Sequence, residues 1–212
     1  MNKSGSFLSV SIALTIMLCL DYGFGESIKP IPEAHAASAT VTPMEGKAVI
    51  VFVRAFSPDA TSVDYRQSPL FKLKSNESEP ELIGILSVKT KLAYQVDPGQ
   101  HLFMVIGENA DFMTAEVLPN RIYYVLVLAR VGNRAAIYSL KAVDKQAQIS
   151  KDFEELFASS KLVENTPASL NWASSNRATI KSKQFEYYRV WTQKPDSERT
   201  RLLPDHGTGG RP

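Results

Sequence analysis

The chain has 212 residues, enough for one domain with a substantial core and a tail but too few for two comfortable domains. Its 24 basic and 22 acidic residues give a net charge of +2, which excludes the whole-chain basic field of a nucleic-acid binder, so no nucleic-acid partner is expected. A hydrophobic content of 44% excludes general disorder.

Residues 1–20, "MNKSGSFLSVSIALTIMLCL", place Lys3 ahead of fourteen mostly apolar residues, Phe7 to Leu20. A spanning helix needs about 20 apolar residues, so this run is read as a signal peptide and the protein as exported, periplasmic or of the cell envelope. Small Gly23 and Gly25 favour cleavage after Gly25, with Ala34-His35-Ala36 as a better motif lying further downstream. The only cysteine, Cys19, stands where a bacterial lipoprotein carries its lipid, but bulky Leu18 before it makes a poor lipobox. A lipid-anchored form through Cys19 is therefore the alternative. Without Cys19, the mature chain has no thiol for a disulfide, a nucleophile or a Cys-based metal site.

Residues 26–46 hold three prolines and many small residues without an apolar period, and read as a flexible leader. From Lys47 the run "KAVIVFVRAF" has the β-branched and aromatic content of a strand buried on both faces. Further runs begin at Pro69, Leu82, Lys91, His101, Phe112, Arg121 and Ala135, each bounded by Gly, Pro, Asn or Asp. No interval between them is long enough for a crossover helix, so an antiparallel β-sandwich is expected over residues 47–145. In "YQVDPGQHLFMV", Asp97-Pro98-Gly99-Gln100 reads as a type II turn closing a hairpin, with Pro98 fixing φ and Gly99 supplying a positive φ.

Residues 150–194 read as a helical tail. Phe153, Leu156 and Phe157 have helical spacing behind Ser150 as cap, with Asp152, Glu154 and Glu155 in the first turn. A longer helical pattern then carries Leu170, Ala173, Ile180, Tyr187 and Trp191 on one stripe until Pro195 stops it. Residues 195–212 have turn composition and are expected to be disordered. Residues 171–212 hold eight basic and four acidic residues, a charge of +4, against fifteen and seventeen, −2, in residues 22–170. This basic amphipathic tail either docks on its own sandwich or lies against an anionic membrane surface.

Motifs for chemistry are sparse. His35, His101 and His206 are not spaced to share a metal, and no metal or cofactor site is assigned. There is no Gly-x-Ser-x-Gly elbow, no Walker loop and no Gly-x-Gly-x-x-Gly after a strand, so no catalytic residue is assigned either. Glu77, Glu79 and Glu81 read as a solvated loop, and Asn76 begins an Asn-Glu-Ser sequon relevant only to a eukaryotic secretory route. Tyr123 and Tyr124 must face opposite sides of a sheet, which leaves one ring for an exposed platform. Tyr124, His101, Trp172 and Trp191 form the candidate binding surface.

The order of "AVIVFVRAF" ending near Arg54, Gly84-Ile85-Leu86, the Pro98 to His101 turn and Tyr123-Tyr124 resembles the bacterial domain of unknown function family 2846 over about residues 45–140. The resemblance implies an Ig-like or transthyretin-like β-sandwich of the PEGA kind, exported and often lipidated, and carries no shared reaction. The expected function is thus a non-enzymatic cell-envelope protein that binds or braces another envelope component, a protein or a glycan. A glycan- or peptidoglycan-binding module using Tyr124 or Trp172 is the first alternative. An unrecognised enzyme built on Asp97, His101 and Glu108 is the second.

Overall fold

In the computed structural model, residues 31–32, 35–36, 41–55, 66–133 and 135–209 are described. The expected signal peptide, its Gly25 cleavage point and Cys19 lie outside them.

Strand β2 (Ala48–Arg54) is buried at every residue and lies inside the first sheet. The continuous apolar run follows from its two environments. Ala48, Ile50 and Phe52 enter the core between the sheets, while Val49, Val51 and Val53 meet Leu156 and Phe157 on the outer side. The first sheet runs from β1 (His35–Ala36) through β10 (Lys161–Glu164) and β5 (Thr90–Val96) to β2 and β8 (Arg121–Val131). Strands β9 (Ala136–Val143) and β12 (Thr208–Gly209) share the far edge of β8. The second sheet is β11 (Thr200–Leu202), β7 (Ala110–Val117), β6 (Gly99–Ile106), β3 (Ser68–Leu73) and β4 (Glu81–Leu86). The two sheets face each other across a core that includes Phe52, Leu70, Phe103, Val105, Met113, Tyr123 and Val125.

The protein is therefore mainly β, with two facing sheets and helices towards the C-terminus, but the sheets are mixed rather than wholly antiparallel. Strands β2 and β8, β10 and β5, and β11 and β7 pair in parallel. A parallel pair needs a long crossover, and a helix is only the commonest one. Here the strands of the opposite sheet make the crossing from β2 to β8, so the missing helix did not forbid it.

The Asp97-Pro98-Gly99-Gln100 turn also departs from expectation. Strand β5 belongs to the first sheet and β6 to the second, so the segment is a corner between sheets and closes no hairpin. Gly99 does have the positive φ expected of it, +121°. The alternation of Leu92, Tyr94 and Val96 and then of Leu102, Met104 and Ile106 gives facing but not pairing partners, and a corner leaves the same pattern as a hairpin.

Helix α1 (Lys145–Gln148) and helix α2 (Lys151–Ser159) follow β9, and the Ser150 side chain accepts from the Phe153 N–H at 3.3 Å as the cap of α2. The tail is less uniform than its composition implies. Strand β10 interrupts it, and the single helix expected through residues 168–194 is two, α3 (Pro167–Ser175) and α4 (Arg177–Thr192). They break at Asn176, whose side-chain amide donates to the Trp172 carbonyl at 2.7 Å and so competes with continued helix. Both helices cover the outer face of the second sheet. Trp172, Ile180 and Trp191 pack with Phe71, Leu73, Ile85, Met104, Ile106 and Phe112. Leu170, placed on the inward stripe by spacing, is exposed.

The C-terminal segment read as disordered is instead built into both sheets. β11 adds to β7 and β12 to β8, with Leu202 buried between the sheets. Strands of two or three residues are too short for an alternation to be legible, and their stability comes from a partner edge rather than from their own sequence.

Candidate functional site

The four sequence-predicted surface residues do not form one surface. Tyr124 points out of the first sheet, but α2 roofs it. Its ring meets Phe153 and Phe157 edge-on at 5.3 and 5.4 Å, and burial pushes its phenol pKa up. Its neighbour Tyr123 is wholly buried, accepting from the Leu118 N–H at 2.9 Å and donating to the Pro204 carbonyl at 3.3 Å. Trp172 is carried by α3 and packs inward on the second sheet at 6% exposure. His101 is half-buried at the start of β6, where its ring Nε2–H donates to the Asp97 carbonyl at 2.7 Å and fixes the corner. Burial pushes the imidazole pKa down, which favours the neutral ring.

Asp97, His101 and Glu108 do not converge. The Asp97 carboxylate pairs with Lys47 at 2.6 Å, whose ammonium holds its pKa down. Glu108 accepts from the Ala135 N–H at 2.9 Å and sits beyond the other end of β6 from His101, roughly 20 Å away along an extended strand.

Of the four, Trp191 leads to a site. Alternation along β7 buries Met113, Ala115 and Val117 between the sheets and turns Phe112, Thr114 and Glu116 outward. Helix α4 covers Phe112 through Tyr188, edge-on at 5.2 Å, and Trp191, at 5.9 Å. It ends at Thr192, and a cleft of about 780 Å³ opens at this end of the sheet. Gln100 and Leu102 of β6, Thr114 and Glu116 of β7 and Arg201 of β11 line it. In register, Gln100 faces Glu116, and Thr114 lies between Leu102 and Arg201. Lys74 and Ser75 at the end of β3 form the opposite side.

The wall beside α4 is a stack. Tyr188 lies on Trp191 at 5.6 Å and 29°, and the Arg199 guanidinium sits 5.4 Å from the Trp191 ring centre. Arg199 also pairs through Nη2 with the Asp196 carboxylate. Two buried donors of this stack, Trp191 Nε1 and Arg199 Nε, have no hydrogen-bond acceptor among the described residues. Buried polar groups rarely remain unpaired, so the stack has unused donor capacity next to the cleft. The Lys74 ammonium and the Arg201 guanidinium are in no ion pair among the described residues. Lys72 also lines the cleft, but its ammonium lies 5.9 Å from the centre of the Tyr94 ring.

The arrangement can hold a polar ligand through charges, amides and a hydroxyl. His101 is the only histidine lining the cleft, and its Nε2 is occupied by the Asp97 carbonyl. Among the described residues no three His, Cys, Asp or Glu side chains are grouped to hold a metal ion.

Sequence reasoning missed Gln100, Thr114, Glu116, Arg199 and Arg201. The available signal was the outward half of "FMTAEV" ending in polar residues, and an Arg-Thr-Arg step in a segment read as loop.

No family model matches the chain, and no curated protein matches it. The resemblance to family 2846 rests on the motifs quoted above.

Proposed function

We propose that this is an exported, non-catalytic binding protein of the cell envelope, whose sandwich and docked helices brace a cleft for a polar envelope component. The observation that carries this reading is the cleft beside Trp191, lined by Gln100, Thr114, Glu116 and Arg201 on rigid strands and backed by an aromatic stack. Sites on strands hold their side chains more closely than sites on loops, which suits recognition. The apolar run before Leu20 supports export, and the motifs from Arg54 to Tyr124 support an Ig-like or transthyretin-like module of the family 2846 kind.

A glycan is the component class this geometry favours. Amide, hydroxyl and carboxylate groups at Gln100, Thr114 and Glu116 match hydroxyl-rich ligands, whereas Tyr124 and Trp172, the rings first considered for stacking, are taken up by packing.

The test combines fractionation of the native cell with capture of the full-length protein on purified envelope glycan. Enrichment in the envelope fraction, with glycan capture abolished by a cleft-filling Thr114→Trp substitution, is the expected result. Recovery wholly from the cytosol, or capture indifferent to that substitution, would overturn the reading.

A further inference from the structure

We infer that the glycan is acidic, its carboxylate or phosphate held between Arg201 and Arg199 on one side of the cleft and Lys74 on the other. This rests on the cleft being the binding site.

Arg199 and Arg201 are two residues apart in a segment that is extended at Arg199 (φ −87°, ψ 122°) and continues as β11. Residues i and i+2 of an extended chain project to the same side, with Cα atoms about 6.6 Å apart. Leu202 between the sheets and the Thr114 register of Arg201 fix that side as the outer one, above the cleft floor. Two guanidiniums so spaced offer planar forks to one tetrahedral or planar anion.

The two differ in freedom. Arg199 is held by the Trp191 ring and by Asp196, with its side chain 28% exposed, and acts as a fixed wall charge with Nε still unpartnered. Arg201 is exposed and in no ion pair among the described residues, so it can close on a ligand.

The charge count agrees. Lys72, Lys74, Arg199 and Arg201 line the cleft with Glu116 and Asp196, four cations to two carboxylates, and Asp196 is already paired to Arg199. Donors therefore exceed acceptors around the cleft, and the unpartnered Trp191 Nε1 adds another. A neutral glycan offers only uncharged hydroxyl and ether oxygens, whereas an acidic one adds the anionic acceptor that this excess of cations binds more strongly. Glu116, opposite Gln100 and two residues along β7 from the level of Arg201, then meets the ligand's hydroxyls.

The experiment is titration calorimetry of the mature protein with three probes: a short oligogalacturonate for carboxylate, a glycerol-phosphate oligomer for phosphate, and a neutral cello-oligosaccharide. Binding of either anionic probe should weaken at least about tenfold with Arg201→Glu and with Lys74→Glu, and should fall as salt rises. Which anionic probe binds decides between the two anions. Both substituted side chains are exposed, and circular dichroism melts establish that each variant folds. Binding of the cello-oligosaccharide alone, lost in Thr114→Trp, would overturn the acidic assignment and leave the cleft reading standing. Anionic binding unchanged in both charge variants would also overturn it. Failure of all three probes would overturn both.

Discussion

The carboxylate of Asp111 on β7 accepts a hydrogen bond from the backbone N–H of Leu140 on β9 at 2.9 Å, so a side chain of one sheet closes the free edge of the other. Asn109 repeats the arrangement two residues earlier, bonding the Tyr138 carbonyl at 3.0 Å and the Tyr138 N–H at 2.9 Å, and the Thr200 hydroxyl donates to the Leu140 carbonyl at 2.9 Å. An open β edge invites pairing with other chains, and here polar side chains occupy it.

Burial pushes the Asp111 pKa up, against the pull of the Leu140 N–H. The native state then binds a proton more tightly than the unfolded chain does. Its contribution to stability is full below the ordinary value of 3.8 and is lost as pH rises through the raised native value. Asp111→Asn keeps an acceptor for Leu140 and should flatten this part of the pH profile. Asp111→Ala leaves the N–H unpaired and should cost about 1–3 kcal/mol. Urea unfolding of the three proteins from pH 3 to 8 checks both effects.

Two glycines should fail for different reasons. Gly99 has φ +121°, and the space that an alanine methyl would take there has nothing within 4 Å, so Gly99→Ala meets only backbone strain and should cost about 1 kcal/mol or more. Gly207→Ala would place its methyl carbon 2.6 Å from the Tyr123 ring, which is held by Leu118 and Pro204, and should destabilise more. Thermal melts rank them. Loss of glycan capture by folded Gly99→Ala would make the corner a recognition loop.

Glu79 clamps the loop between β3 and β4 to α4, accepting from Arg177 at 2.7 Å and Lys181 at 2.6 Å. Those hydrogen bonds hold its pKa down to about 2 from 4.5. The depressed value means that its contribution is present above 4.5 and lost as pH falls towards 2. The carboxylate is exposed, so the contribution is small and screened. Glu79→Gln should lower the melting temperature slightly at low salt, and the difference should vanish at about 1 M, where the Debye length is about 3 Å.

What was legible in the sequence follows from the physics of each element. The double burial of β2 was readable because Val49, Val51 and Val53 alternate with apolar Ile50 and Phe52. The Ser150 cap was readable because capping is local. Pairing was not, since the corner at Asp97 to Gln100 and a hairpin share one local pattern. The cleft was hidden for a similar reason. Thr114, Glu116, Arg199 and Arg201 are ordinary surface types in sequence, and only the end of α4 and the addition of β11 to β7 bring them together.

Trp191 decides what the tail is for. Its ring is 5% exposed against Phe112 and Tyr188, so the basic amphipathic helix spends its apolar stripe on its own sheet. Lipid binding through that stripe would require it to leave Phe71, Met104, Ile106 and Phe112 bare, at about 25 cal/mol for each Å² of apolar surface exposed. Trp191→Ala should therefore cost about 3–5 kcal/mol. Deleting residues 171–212 should lower the melting temperature sharply and raise binding of a hydrophobic dye, because Phe71 and Phe112 lose their cover. Removing that segment also removes β11 and β12 and the tie from Tyr123 to Pro204, so Trp191→Ala isolates the helix contribution. Full-length protein should show no salt-sensitive binding to anionic vesicles that Trp191→Ala abolishes. A truncated domain that melts unchanged, with vesicle binding lost, would assign the stripe to a membrane instead.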